Sequence, residues 1–309
     1  MNLTPTELPW LWIPLTIWAA LAQTVRNAAQ RHLVAQLGTL GATLVRFLYG
    51  LPFAALYLGS VALLSQTVPP PVDTAFLIWV LEGAVCQILA TALLLRVMTE
   101  RNFALGVAYS KTELIQVAVF GTAFLGDAVT LIAASAIGLA TLGVLLLSPV
   151  DRAQPLKSFL AGWTSRSAAL GFASGSCFAL AAVGYRGAAL ALPSAPFALA
   201  AAFTLVWAQA IQVVLLGGWL LLRHPSVVLE AFRAWRASLV AGFMGAAASA
   251  GWFTAMAIEP VAHVRTLGLV ELFFTLVVSR HLFRERLGRL EAIGMGFLAL
   301  GLIAITFGR

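Results

Sequence analysis

The stretch KTELIQVAVFGTAFLGDAVTLIAASAIGLATLGV, residues 111–144, decides how this chain folds. It reads as two apolar helices joined by the turn Gly126-Asp127, with Lys111 and Glu113 inside the first of them. The chain has only two lysines, Lys111 and Lys157, so one of them sits where hydrocarbon is expected. The stretch also has a counterpart. Sliding the chain on itself by 158 residues, without a gap, brings Glu113 onto Glu271 and Leu114 onto Leu272. The same shift brings Asp127 onto Glu285, Gly138 onto Gly296, Leu142 onto Leu300 and Gly143 onto Gly301. A matched acid inside a helix, an acid at the joint and two spaced glycines point to an internal duplication.

Composition sets the class. The 309 residues are 61% hydrophobic and 10% charged, with a mean hydropathy of +0.94. A soluble domain carries roughly 25% charged residues, so this reads as an all-α integral membrane protein. Crossing a bilayer takes about 20 apolar residues per helix. Ten such segments are legible, at about 9–29, 39–64, 75–98, 103–125, 128–148, 167–191, 196–222, 237–258, 263–283 and 288–307. The longest polar stretch falls near the midpoint. It divides the chain into a first five-helix repeat (1–148), a linker (149–166) and a second five-helix repeat (167–309).

Five is an odd number, so two tandem copies must lie upside-down relative to each other. The loop charges agree: the 4–5 joint FLGDAV has no Lys or Arg, whereas its counterpart SRHLFRERLGR has four Arg. Loops after helices 1, 3, 5, 7 and 9 hold thirteen basic residues, against at most Arg186, Arg265 and Arg309 on the other face. Positive loops stay in the cytoplasm, which puts both termini outside. Inverted repeats are a hallmark of secondary transporters, with the site at the repeat interface near the midplane.

Other classes recede. The net charge of +7 comes from scattered loop residues with no aromatic-basic stripe, so no nucleic acid is expected. Cys86 and Cys177 lack metal or redox spacing and read as buried small hydrophobes; no metal or other cofactor is expected. The four histidines lie at helix ends or loops, there is no phosphate-binding GxxxxGK[ST] loop, and no nucleophile-base-acid set is legible, so an enzyme is not expected. The N-terminus lacks a basic n-region and does not read as a cleaved leader; Trp10 and Trp12 suit an interfacial belt.

The cassettes 111–144 and LVELFFTLVVSRHLFRERLGRLEAIGMGFLALGLI, residues 269–303, resemble the drug/metabolite transporter superfamily, in its ten-helix EamA-type branch. That family has a short "GE" or "RE" turn followed by a helix with two spaced glycines. Here the turns are Gly126-Asp127 and Arg284-Glu285, and the glycines are Gly138 with Gly143 and Gly296 with Gly301. Family members often carry proline just after the buried acid, where this chain has Leu114 and Leu272, and their termini are commonly cytoplasmic. The resemblance implies solute efflux across the cell (inner) membrane.

Ionisable groups cost roughly 2.5–3.5 kcal/mol each inside the bilayer, so they face the bundle interior or a wet cavity. Arg46, Glu82, Lys111, Glu113 and Glu271 are the clearest. Lys111 and Glu113 point about 200° apart on a helix and cannot pair with each other. Leu269 takes the lysine position in the second repeat, but Arg265 lies one turn earlier on the same face. Glu113 and Glu271 either lock the two cassettes together or couple solute and protons. Arg46 and Glu82 are candidates for a buried pair. Arg26 and Arg186, and with them Arg265, sit nearer helix ends and read as snorkelling residues. Tyr49, Tyr109, Trp207 and Trp252 are candidate cavity walls, and Trp252 leads because its helix also presents Gly245, Ser249 and Gly251. Gly171-x-x-x-Gly175 reads as a packing face.

The expectation is a secondary transporter, working by alternating access on a small zwitterionic solute such as an amino acid, with Lys111 facing the solute. Protons are the candidate coupling partner, and the protein is a monomer or homodimer in the bilayer. The alternatives are an exchanger of anionic metabolites gripped by Lys111 and Arg265, or a membrane enzyme or scaffold that moves no solute.

Overall fold

The computed structural model describes residues 10–100, 110, 113–146, 166–274, 277 and 289–307, which lie in helices or in short joints between them and never in a strand. Helix α1 is Trp12–Leu48, α2 Leu51–Ser65, α3 Thr74–Glu100, α4 Glu113–Phe120, α5 Leu131–Leu146 and α6 Arg166–Leu190. Helix α7, Phe197–Gln212, runs on through a π turn at Val213–Gly217 into Gly218–Arg223. After a short surface helix, Pro225–Arg233, come α8 (Trp235–Ile258), α9 (Val261–Leu267) and α10 (Arg289–Phe307). Five stretches are long and apolar enough to cross a membrane: Trp12–Ser65, Thr74–Met98, Arg166–Leu190, Phe197–Arg223 and Trp235–Ile258. Large apolar side chains such as Leu63, Leu64, Leu131 and Leu222 stand on the outside of the bundle, a surface suited to lipid.

Helix breaks follow local chemistry. The polar joint expected between residues 29 and 39 is helical instead: α1 continues to Gly38, which alone leaves the helical region at φ 68°, ψ 176°. Gln30, Leu33 and Leu37 are buried at helical spacing, and that packing carries the helix through a stretch read as a loop. The run then breaks again at Tyr49-Gly50 before Pro52, whose missing N–H cannot continue the ladder. Trp12, expected at the interface, is fully buried. The ninth apolar segment is also discontinuous. Helix α9 stops at Leu267; Gly268 and Leu269 form a turn in which the N–H groups of Leu269, Glu271 and Leu272 each donate to the carbonyl three residues back, and the helix resumes at Val270, so Glu271 lies in its first turn.

Small residues set the packing. Helix α1 lies on α8 and α3 on α6, while α2 lies on α7 and α5 on α10. Exchanging the two halves, segment for segment, leaves this set of pairings unchanged. The same reciprocity holds at atomic detail between α5 and α10. A Cβ on Gly143 would meet the Gly294 carbonyl and the Leu298 nitrogen at 2.7 Å, and one on Gly301 would meet the Ala136 carbonyl at 2.9 Å and the Ala140 nitrogen at 2.8 Å. Leu298 stands 158 positions from Ala140, and Gly294 stands 158 from Ala136. Gly138 and Gly296 have open space instead. Gly143→Val and Gly301→Val should therefore each cost about 1–3 kcal/mol by overpacking. Gly138→Ala and Gly296→Ala should be neutral or slightly stabilising. Melting temperatures of the four purified variants in detergent test this.

Between α3 and α6 there is close approach at Gly184 and Gly187, against Glu82 and the Trp79 ring; Gly171 and Gly175, expected as a packing face, are buried on the same helix. The expected linker, residues 149–166, lies outside the described residues except for Arg166, which opens α6.

Candidate functional site

Helix α1 supplies the base of the site. Gln23, Arg26, Asn27 and Gln30 recur at helical spacing and form a polar stripe that faces inward. Arg26 is 1% exposed, so it does not snorkel: it lies mid-helix, and its Nε and Nη2 donate to Asn27 Oδ1 at 3.2 and 2.7 Å. Asn27 Nδ2 and Gln23 Nε2 in turn donate to the two oxygens of Glu271, at 3.0 and 2.8 Å. The turn at Gly268 and Leu269 after α9 brings Glu271 to this stripe. Trp252 on α8 donates its indole N–H to Gln23 Oε1 at 3.0 Å, which leaves the Gln23 amide facing the acid. Gly268 has no side chain because the Trp252 ring occupies that space.

Glu113, at the start of α4, faces Arg265 on α9 at 3.8 Å. The Arg265 guanidinium lies 4.9 Å above the Trp252 ring. Arg265 is thus held inside the bundle and does not reach a helix-end interface. The two acids therefore cross over: Glu271 is bound by residues of the first half, and Glu113 is paired with a residue of the second. Between them lies a narrow cleft, with room for about one water molecule, lined by Gln23, Asn27, Ser110, Glu113, Arg265 and Glu271. Lys111 and Tyr109 lie outside the described residues.

Arg46 and Glu82 do not meet. Arg46 Nη1 donates to Thr91 Oγ1 at 2.9 Å, while Glu82 accepts from the Cys86 thiol at 3.3 Å and sits against Gly184. The cause is register: Thr91 lies nine residues, about two and a half helical turns, along α3 from Glu82 and so on its opposite face, and it is the group that Arg46 meets. Cys86 and Cys177 are half-buried free thiols, so Cys86 acts as a donor and not merely as an apolar filler. Tyr49 donates to the Ala231 carbonyl at 3.2 Å and Trp207 packs with Phe76 and Phe203, so neither walls the ionic cavity.

A second polar cluster closes one end of the bundle. The π turn Gly121–Leu125 ends at Gly126, in the left-handed region at φ 69°. The Gly126 N–H donates to Thr122 O and the Asp127 N–H to Gly121 O, both at 3.2 Å, which is a glycine helix stop. This stop aims Asp127 at Arg186 on α6. Arg186 Nη2 donates to Asp127 Oδ1 at 3.1 Å, and Nε lies 3.1 Å from Oδ2 at a poorer angle. Arg186 Nη1 caps the end of α8 by donating to the carbonyls of Met256 and Glu259. Arg186, like Arg26, is therefore a buried anchor and not a snorkelling residue; helix-end carbonyls and a carboxylate satisfy it inside the protein. His263 Nδ1 adjoins Glu259 Oε1 at 2.7 Å beside this clasp. The matching turn, Arg284-Glu285, lies outside the described residues.

No family model matches the chain, and no curated protein matches it. The fold is shared with a solved crystal structure, which is similar over 95% of this chain and 94% of that one, with a TM-score of 0.64 at 14% sequence identity. At that identity the likeness carries the fold alone.

Proposed function

We propose that the chain is a secondary transporter of the drug/metabolite transporter type, a multi-pass protein of the cell (inner) membrane that exports a small charged solute by alternating access. The observation that carries this reading is the crossed pair of acids. Glu271 and Glu113 each reach across to the other half of the chain, around a cavity in the apolar bundle. Glu271 accepts from Gln23 and Asn27 on α1, which places a carboxylate of the second half against the polar stripe of the first. The reciprocal packing at Gly143 and Gly301 supports two halves that rock against each other.

In this mechanism the solute enters the cavity and its charged groups replace the contacts between Glu113 and Arg265. The halves then reorient, and the Asp127–Arg186 clasp opens or re-forms on one face. A zwitterion, offering an ammonium to the acids and a carboxylate to the arginines, fits the mixed lining. The three buried arginines near the cleft, Arg26, Arg46 and Arg265, favour a second reading, an exchanger of anionic metabolites. Purified protein in liposomes decides between them. Counterflow of labelled amino acids without ATP is the expected result, and flux of carboxylated or phosphorylated anions alone selects the exchanger. Lys111→Ala should reduce flux to background while leaving the melting temperature within a few degrees. No flux of any solute sinks the transport reading.

A further inference from the structure

The stretch RHPSVVLEAFRAWR, residues 223–236, joins the membrane-crossing helices α7 and α8 through the surface helix Pro225–Arg233. We infer that this helix is a docking surface for anionic phospholipid: Leu229 and Phe232 enter the boundary between headgroups and acyl chains, and Arg223, Arg233 and Arg236 meet the phosphates.

The order of side chains around the helix carries the inference. An α-helix turns about 100° per residue. Val228 and Ala231 share the buried side, and the helix packs on α1, where Val227 fills the space beside Gly41. Next round the helix come Phe232 and Leu229, 54% and 52% exposed, and beyond them Arg233 and Glu230. Three successive faces thus suit protein, oil and water, which is the pattern of a helix lying in the membrane interface. Half-exposed tryptophans stand on either side of it, Trp219 before and Trp235 after, and tryptophan is enriched at that boundary. Leu222 and Leu239, exposed on the adjoining turns of α7 and α8, call for the same acyl chains, so the occupant is lipid and not a water-borne acidic protein.

Charge selects the headgroup. Arg223, Arg233 and Arg236 are exposed, and none makes an ion pair among the described residues. The Arg236 guanidinium lies 5.4 Å from the centroid of the Trp235 ring, which keeps it beside the aromatic anchor. Glu230 is the only acid in the stretch and is also unpaired, so three arginines against one glutamate leave two positive charges unanswered. The phosphate of an anionic lipid answers them, whereas a zwitterionic lipid brings its own ammonium group. Each arginine held at an anionic surface contributes about fivefold in affinity. The surface is independent of what the bundle carries and stands or falls apart from the transport reading.

The test uses the full-length protein in detergent, with phosphatidylglycerol and phosphatidylcholine of the same acyl chains as probes and the melting temperature as the readout. Phosphatidylglycerol should raise the midpoint at about tenfold or more lower concentration than phosphatidylcholine. Arg223→Gln, Arg233→Gln and Arg236→Gln combined should remove that preference in a protein that melts like the parent without added lipid. The corresponding three lysine substitutions should keep it, because the surface reads charge. Leu229→Ser with Phe232→Ser should weaken phosphatidylglycerol about tenfold or more with every charge in place. Arg166→Gln, exposed at the start of α6 and outside this helix, should leave the preference intact. Glycerol 1-phosphate, the headgroup chemistry without acyl chains, should not raise the midpoint. The inference is overturned if the two lipids act equally on the parent, or if the three glutamine substitutions or the two serine substitutions stay within about twofold of it. It is also overturned if glycerol 1-phosphate reproduces the rise, which makes the ligand a soluble anion, or if Arg166→Gln removes the preference as fully, which makes the effect one of diffuse charge.

Discussion

Glu271→Ala should destabilise the protein by about 3–5 kcal/mol and abolish flux, the largest loss expected from any single side chain in the bundle. The carboxylate is 1% exposed and takes the donors of Gln23 and Asn27. Removing it strands both amides in a dry interior and takes away the nearest negative charge from Arg26. Glu271→Gln separates structure from transport. The amide keeps the shape and one acceptor oxygen, so the melting temperature should recover most of the loss, yet flux should remain at background because the charge is gone. Unfolding in denaturant and liposome counterflow on the same preparations measure both. If Glu271→Gln transports like the parent, the acid serves only to lock α1 to the segment after α9.

The second large effect is expected at the clasp. Asp127→Ala leaves Arg186 buried with two helix-end carbonyls but no counter-charge, at a cost of about 3 kcal/mol to the arrangement in which this end is closed. Where the cost falls on that conformation alone, about 3 kcal/mol shifts its population roughly a hundredfold. A cysteine placed at Ala262, which is buried three residues along the chain from Glu259, reads the shift through its rate of maleimide labelling. The expected result is much faster labelling in Asp127→Ala than in the parent. A lower melting temperature with unchanged labelling would make Asp127 a fastener and nothing more.

The broad architecture was legible because lipid imposes one simple rule on sequence. Long apolar runs gave most helices to within a few residues, as with 167–191 against Arg166–Leu190 and 75–98 against Thr74–Glu100. The joint after residue 29 was misread because hydropathy cannot distinguish a loop from a polar helical turn. Gln30, Arg31 and His32 are polar, yet they continue α1. Glu113 and Glu271 were legible as charges in oil, and the 158-residue shift pairs them in the sequence. Their partners were not. Gln23 and Asn27 cost little in hydropathy and drew no notice, although Gln23, Arg26, Asn27 and Gln30 at i, i+3, i+4 and i+7 mark one helical face. Arg186 and Arg26 were misplaced for a related reason: position along a helix does not reveal whether a neighbouring turn presents an acid or bare carbonyls, as Asp127 and the end of α8 do for Arg186.

The contacts of Gly143 and Gly301 carry a further consequence. In the proposed transporter α5 and α10 would meet as a hinge of two like surfaces, indifferent to which half leans outward, because exchanging their roles reproduces the same contacts. On the proposed mechanism this makes the two ends of the transport cycle nearly isoenergetic in packing. Direction then comes from small departures from symmetry, such as the Asp127–Arg186 tie. Such a device is a balance: a solute gradient of modest size tips it, and a single altered charge at one rim reverses its resting tilt.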